Sequence, residues 1–249
     1  PELSRAAGMR LGIVGAMDSE LAHLKGKLAD VQVSRWTNMD FFAGTLGRTC
    51  AVIVRCGVGK VNAALCVQAL ADHFAVTHVI NTGVAGSLDG AIDIADIVVS
   101  IDAVQHDMDV TSLGYAPGQI PDLDVLAFPA DPALRVLALE AVKVAAPAAR
   151  AFEGRIASGD QFVHSPSQRE RIASLFKARC AEMEGAALAQ ACYLNSLPFV
   201  IIRAISDKAD GSSNIDYPSF EKTAAERCAR IVEQMAVLLG NATHRRGDG

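Results

Sequence analysis

The sequence lacks the features that mark membrane, secreted and nucleic-acid-binding proteins. No apolar run reaches the roughly 18 residues that a membrane-spanning helix needs, and residues 1–8 contain no apolar signal-peptide segment. Basic residues number 23 against 28 acidic ones, so the net charge at pH 7 is -5. An acidic chain with scattered basic residues is a poor match for a nucleic acid backbone. We therefore expect neither a membrane nor a nucleic acid as partner.

The sequence is equally short of disulfide, metal and cofactor signals. Its six cysteines form no CxxC pair and lie in apolar runs, which predicts reduced core residues in a cytoplasmic protein. Only His106 stands beside the acids Asp107 and Asp109, too few ligands of the usual kind for a metal site. The glycines near Lys60 lack the Walker spacing, and those at 83–86 lack the dinucleotide-binding spacing. We expect no metal and no cofactor.

What the sequence does contain is a regular alternation of predicted strands and helices. Hydrophobic residues make up 51% of the 249 positions, enough for a large core. Without a linker-like stretch, the alternation favours one three-layer α/β/α domain over residues 9–241. Residues 1–8, ahead of Met9, are interpreted as an added or disordered extension, and residues 242–249 as a polar tail. Strands are predicted at 10–16, 41–46, 50–55, 77–81, 94–101, 154–158, 179–183 and 197–202.

Three carboxylates stand where predicted strands end. Asp207 follows the apolar strand 197–202, Glu184 precedes a helix of small residues, and Glu20 lies in the first turn of a helix that Asp18 or Ser19 could cap. The helix dipole would favour ionised Glu20. Three acids in one crevice, without basic phosphate ligands, suit hydrolysis in which the sugar passes through a cationic, oxocarbenium-like transition state. The alternative is that all three are ordinary helix or loop caps.

Seven motifs along the chain resemble those of one enzyme family. They are GIVGAM at 12–17 followed by Glu20, CGVGKVNAA at 56–64, NTGVAG at 81–86, HDMDVT at 106–111, SGDQF at 158–162, EMEGAA at 182–187 and RAISD at 203–207. The sequence is thereby similar to the 5′-methylthioadenosine/S-adenosylhomocysteine nucleosidases of the purine nucleoside phosphorylase/hydrolase family. The resemblance implies a mixed, partly barrel-like central sheet, a homodimer and a role in methionine salvage. The implied reaction is hydrolysis of the N-glycosidic bond of both nucleosides to adenine and a thioribose product.

The resemblance also implies roles for the three acids. Asp207 would be the general acid at N7 of adenine, with Ser206 positioning it. Glu20 would activate the attacking water, and Glu184 would bind the ribose hydroxyls.

Further residues of the binding site are implied in the same way. Phe162 would stack on the purine, and the backbone of Val163 would bind its edge. Met183 would lie against the sugar with Glu182 nearby, and Arg203 would be a positioning cation. The implied pocket walls are Met17, Val58, Val84, Gly86, Tyr217 and Phe220, and a loop with Leu113, Tyr115 and Pro121 would enter the partner subunit's pocket.

Three positions depart from the family pattern, and two rival functions stay open. Val84 stands where the family often has serine, Leu113 replaces a common aromatic residue, and Tyr217 replaces phenylalanine, so the shape of the 5′ pocket is not fixed by the resemblance. A phosphorylase of the same fold would need arginines at a phosphate site. A non-catalytic nucleoside-binding module would need the pocket but not three separate acids.

Overall fold

The computed structural model describes residues 8–209 and 217–247, with the side chains of the last helix described from Phe220 to Asn241. The strands, numbered in chain order, are β1 Arg10–Gly15, β2 Ala29–Trp36, β3 Met39–Leu46, β4 Thr49–Arg55, β5 His78–Ser87, β6 Ile97–Gln105, β7 Phe128–Pro129, β8 Ala151–Ser158, β9 Ala178–Glu182 and β10 Phe199–Asp207. The helices are α1 Asp18–Lys27, α2 Lys60–Phe74, α3 Pro132–Ala145, α4 Pro166–Phe176, α5 Gly185–Leu194 and α6 Tyr217–Gly247.

The sheet combines a closed ring of strands with an open extension. Strands β5, β10, β6, β8 and β9 pair in that order, and β9 returns to β5. From β5 the sheet continues through β1, β4, β3 and β2. The sheet contains both parallel pairs such as β5–β10 and antiparallel pairs such as β6–β10. The expected mixed, partly barrel-like sheet is confirmed.

Helices cover both faces of this sheet. Leu21 of α1, Leu134 of α3 and Ile231 of α6 belong to one buried apolar cluster, together with residues of β1 and β10. Val67 of α2 and Leu188 of α5 belong to a second cluster on the other face. Because the central strands are covered on both sides, they consist of continuous apolar runs rather than alternating ones, and the three-layer prediction is confirmed.

Two strands extend beyond the apolar runs that predicted them. β5 continues to Ser87 and β10 to Asp207, because Thr82 pairs with Ile202 and Gly86 with Asp207. The polar residues of these motifs are therefore held by strand pairing rather than by loops. The edge strand β2 was not predicted; it is exposed along its whole length, although Val31 and Val33 alternate with polar residues.

Two smaller expectations were wrong. Met17, rather than Asp18 or Ser19, is the N-cap residue of α1, and the side chain of Glu20 accepts from the N–H groups of Ala16 and Met17 just ahead of the helix. All six cysteines are free thiols, but Cys50 is exposed while the other five are buried. Among the helices described, none is both long enough and apolar enough to cross a membrane.

Candidate active site

A cleft opens where β1, β5, β9 and β10 meet, with a volume of about 730 Å³ out to its open mouth. Glu20, Glu184 and Asp207, which are far apart in sequence, all line it. The other lining residues are Ala16, Met17, Val58, Val84, Ala85, Gly86, Gln161, Phe162, Val163, Ala181, Glu182, Met183 and Ser206. The fold therefore brings together most of the residues that the sequence singled out.

Some expected site residues lie elsewhere. Arg203 is buried behind the cleft wall, and Phe220 lies in the first turn of α6, partly exposed and outside the described lining. The side chain of Tyr217 falls outside the described residues. Leu113, Tyr115 and Pro121 belong to the segment between β6 and β7, where Leu113 is 72% exposed.

Glu20 reaches back from α1 to the backbone of two other segments. Its Oε2 accepts from the N–H groups of Ala16 (2.7 Å) and Met17 (3.0 Å), and its Oε1 accepts from Val84 N (3.2 Å). A Cβ at position 83 would lie 2.5 Å from Oε1, so only glycine permits this approach. Burial raises the pKa of Glu20, although Arg203 and the three N–H groups oppose the shift. The expected net stabilisation of the ionised form is thus reversed by desolvation.

The carboxylate of Glu184 makes one hydrogen bond among the described residues. Its Oε1 accepts from Gly59 N at 2.9 Å. Gly59 has φ +101, a conformation that favours glycine and that turns its N–H toward the carboxylate. Burial, followed by the charge of Glu182, raises the pKa of Glu184 to about 7. Glu184 occupies the N-cap position of α5, but its side chain makes no capping hydrogen bond, so capping does not account for the carboxylate.

Asp207 ends β10 with its carboxylate held from both sides. Ser206 Oγ donates to Oδ2 at 3.0 Å, and Ala209 N donates to Oδ1 at 2.7 Å. A Cβ at position 86 would lie 2.9 Å from Oδ1, so the glycine of the neighbouring strand makes room for the acid. Asp207 does serve the turn that follows it, but it also faces the cleft.

A buried charge cluster supports the cleft wall. It consists of Asn81, Ser158, Glu182 and Arg203. Arg203 Nη2 donates to Glu182 Oε2 and to Asn81 Oδ1, both at 2.5 Å, and Ser158 Oγ donates to Glu182 Oε1. Burial disfavours the charge on Arg203, yet Glu182, Glu20 and Glu184 together raise its pKa. Glu182 also accepts from Gly185 N at 2.8 Å and therefore caps α5.

Several site residues were missed from the sequence. Ala16, Ala85, Gln161 and Ala181 line the cleft, and Gln161 is fixed by a 2.8 Å bond from Gln168 Nε2. Gln161 is a neighbour of Phe162 within the SGDQF motif, which was the available signal. Asn81 and Ser158 support the buried charge cluster, and each begins one of the family motifs, NTGVAG and SGDQF, which was the available signal for them.

The charge of the lining limits the chemistry of the cleft. The residues described along its wall include four carboxylates, Glu20, Glu182, Glu184 and Asp207, and no lysine or arginine. In the described parts of the chain, no group of three or more His, Cys, Asp or Glu is placed to hold a metal ion. The arrangement can exchange protons and bind hydroxyl groups, and it offers no fixed cation to an anionic co-substrate.

Comparison with known proteins places this fold and cleft in a family. The phosphorylase superfamily pattern matches residues 10–236. A 5′-methylthioadenosine/S-adenosylhomocysteine nucleosidase from Treponema pallidum is 39% identical over 92% of this chain and 95% of its own length.

Solved structures agree. The Neisseria meningitidis nucleosidase of the same name, in complex with methylthio-immucillin-A, is 37% identical and has a TM-score of 0.88, covering 92% of this chain and 98% of its own. A futalosine hydrolase from Helicobacter pylori is 33% identical with a TM-score of 0.85, covering 91% and 97%. The chain belongs to the phosphorylase superfamily and, within it, to the 5′-methylthioadenosine/S-adenosylhomocysteine nucleosidases.

Proposed function

We propose that the protein hydrolyses the N-glycosidic bond of 5′-methylthioadenosine and S-adenosylhomocysteine, releasing adenine and the corresponding thioribose. The observation that supports this most is the convergence of Glu20, Glu184 and Asp207 on one cleft whose described lining contains no cation. The bond cleaves through an oxocarbenium-like transition state, whose positive charge a ring of carboxylates stabilises.

The three acids divide the work by their surroundings. Asp207, held by Ser206 and Ala209 N, donates a proton or hydrogen bond to N7 of adenine, so that the base leaves as a neutral molecule. Glu20 accepts a proton from the attacking water, and its burial-raised pKa makes it a stronger base than a free carboxylate. Glu184, with a single described partner, accepts hydrogen bonds from the ribose hydroxyls.

The remaining lining residues hold the two ends of the substrate. Phe162 stacks on the purine, the backbone of Val163 binds its edge, and Met183 lies against the sugar. Glu182 supports Glu184 from behind, since its oxygens accept from Glu184 N at 3.2 Å and from Arg203. Val84 contributes its backbone N–H to Glu20, so its lack of a hydroxyl leaves that contact intact.

A homodimer in the cytoplasm completes the proposal. Val61 and Leu65 lie one turn apart on α2 and are both exposed, as is Val58 at the cleft mouth. Exposed apolar side chains such as these and Leu113 are of the kind that protein partners cover. The free, mostly buried cysteines are typical of a reducing compartment, where methionine salvage would use the enzyme. Light scattering should give twice the chain mass of 26.2 kDa; a monomer at assay concentration would refute the dimer.

One assay tests the reaction. Adenine release from methylthioadenosine is measured in phosphate-free buffer and again with added phosphate. We expect equal rates and free methylthioribose in both, whereas a phosphorylase would need phosphate and form the sugar 1-phosphate. A nucleoside-binding module would release no adenine, and a panel with S-adenosylhomocysteine and futalosine ranks the substrates by kcat/KM.

The same assay tests Asp207. Asp207→Asn should lower turnover by roughly 10²-fold or more, the range for a positioned acid. Near wild-type adenine release from this variant would remove Asp207 from the mechanism.

A further inference from the structure

The N-terminus of α2 connects Glu184, on one side of the cleft, with Asp160, next to Gln161 and Phe162 on the other side. Gly59 N donates to Glu184 Oε1 at 2.9 Å, and the next N–H group, that of Lys60, donates to Asp160 Oδ1 at 2.8 Å. Asp160 begins the segment 160–163 that carries Gln161, Phe162 and Val163, hereafter the purine loop. Adjacent peptide groups thus bind a carboxylate on the sugar side and a carboxylate on the purine side.

The side chain of Lys60 closes this link into a ring. Its Nζ lies 2.8 Å from Asp107 Oδ1 and donates to Gln105 Oε1 at 3.0 Å. The other oxygen of Asp107 accepts from Asp160 N at 2.9 Å. The Lys60 backbone, Asp160, Asp107 and the Lys60 ammonium therefore form one closed circuit, and the side chains of Lys60 and Asp107 are only 20% and 15% exposed.

A second arm of the network reaches the helix behind Glu184. Gln105 Nε2 donates to Gln190 Oε1 at 2.5 Å, and Gln190 lies on α5, which begins immediately after Glu184. None of Lys60, Gln105, Asp107 and Gln190 lies in the described lining of the cleft. The network therefore acts on the cleft only through Gly59, Asp160 and α5.

We propose that the Lys60–Asp107 ion pair is a positioning pair that fixes the separation between Glu184 and the purine loop. The inference rests on the proposed function, since a nucleosidase must hold a sugar and a base on either side of the bond it breaks. An error of about 1 Å in such placement can cost about 10²-fold in rate. Loss of Nζ would leave the largely buried carboxylate of Asp107 uncompensated, so that Asp107 moves and displaces Asp160, whose N–H it binds.

The chain offers a matched control for a merely stabilising role. Arg155 and Asp102 form another partly buried ion pair, with Nε–Oδ1 at 2.7 Å and Nη2–Oδ2 at 2.8 Å, and exposures of 26% and 17%. This pair joins β8 to β6 and touches none of the described lining residues through these bonds. It should contribute to stability without setting the cleft.

The experiment compares Lys60→Met with Arg155→Met, measuring kcat/KM for methylthioadenosine and Kd for two probes. Methylthio-immucillin-A spans the sugar and purine sides, whereas adenine contacts the purine side alone. Lys60→Met should lower kcat/KM and weaken the spanning probe by roughly 10- to 100-fold, with adenine changed by less than about 3-fold. Arg155→Met should leave kcat/KM and both Kd values within about 3-fold of wild type, even if its Tm falls by as much as that of Lys60→Met.

Asp107→Asn serves as a second variant, because its carbonyl keeps an acceptor for Asp160 N while the charge is removed, and it carries the test if Lys60→Met does not fold. The proposal is overturned if both folded variants keep kcat/KM within about 3-fold, or if both probes weaken equally. The comparison of Kd values for the two probes does not require turnover. An unexpected result there would refute the positioning role alone, whereas the absence of adenine release by the wild-type protein would refute the proposed reaction.

Discussion

Glu182 and Glu184 are two residues apart, equally buried, and differ in almost everything else. Glu182 belongs to the buried charge cluster, where Arg203, Ser158 and the N–H of Gly185 occupy its oxygens. Glu184 faces the cleft and accepts from Gly59 N as its one described partner. Burial, followed by the charge of Glu182, raises the pKa of Glu184 to about 7 and outweighs the opposing effect of Arg203, whereas Glu182 forms a direct ion pair with Arg203. The same side chain is thus structural at one position and available to a ligand at the other.

The difference shows that the hydrogen-bond and ion-pair partners of a buried acid, and not its burial, decide whether it stabilises the fold or can bind a ligand. A buried acid whose lone pairs are filled cannot bind a substrate, and breaking its ion pair leaves an uncompensated charge. A buried acid with a free oxygen costs stability and gains it back only when a ligand arrives. Changing each glutamate to glutamine makes the same chemical alteration on the two sides of this comparison.

The largest expected effect is on the scaffold side. Glu182→Gln removes the negative charge that offsets Arg203 at 2.5 Å, so we expect the free energy of unfolding to fall by about 3–5 kcal/mol, as when one partner of a buried pair is removed. Denaturant unfolding at pH 7 measures this. A loss below about 1 kcal/mol would mean that Glu20 and Glu184 suffice to offset the charge of Arg203, and Glu182 would then not be a structural acid.

Glu184→Gln should instead cost activity. Gln can still accept from Gly59 N, but it loses the charge that strengthens hydrogen bonds to the ribose hydroxyls, each worth about 1.5–3 kcal/mol. We expect kcat/KM for methylthioadenosine to fall by roughly 10²-fold. In the wild-type protein, kcat/KM should rise with pH up to about 7, where Glu184 ionises, and this rise should be absent from the variant.

The stability of Glu184→Gln should move in the opposite direction to that of Glu182→Gln. Because the folded pKa of Glu184, about 7, exceeds its ordinary value of 4.5, the folded state holds this proton more tightly than the unfolded state. Wild-type stability therefore falls as pH rises from 4.5 to 7, and the variant escapes this loss. At pH 4.5 the free energies of unfolding of the wild-type protein and Glu184→Gln should differ little. At pH 8 that of the variant should be higher by up to about 3 kcal/mol. A variant less stable than wild type at pH 8 would contradict the raised pKa.

The sequence could predict the elements but not these partnerships. The apolar runs of β1, β5 and β10 indicated buried parallel strands, and the positions of Glu20, Glu184 and Asp207 at strand ends indicated a shared crevice. No local pattern could show that Arg203 pairs with Glu182 across 21 residues or that Asn81 meets Arg203 across 122. Closure of β9 onto β5 likewise depends on distant pairing, which apolar periodicity does not record.

The smallest effect is expected from Ser206→Ala, a change that tests whether the Ser206 hydroxyl orients Asp207 or only stabilises the fold. Ser206 Oγ lies 3.0 Å from Asp207 Oδ2 and 3.4 Å from Ala85 O, so it can donate to only one of them at a time. Ser206→Ala leaves Asp207 the Ala209 N–H, and one net hydrogen bond is worth about 1 kcal/mol, so kcat should fall by about 5- to 10-fold with KM little changed.

Ser100→Ala is the control for that change. Ser100 lies on β6, and its buried Oγ accepts from Ile201 N at 2.9 Å. Ile201 is on β10, like Ser206, but neither Ser100 nor Ile201 lines the cleft. We expect Ser100→Ala to lower Tm and leave kcat within about 2-fold. If Ser206→Ala lost as much turnover as Asp207→Asn, the hydroxyl would be contributing more than orientation. If instead it matched Ser100→Ala in both readouts, Ser206 would belong with Glu182 on the structural side of the comparison, and Asp207 would be held by its backbone contact alone.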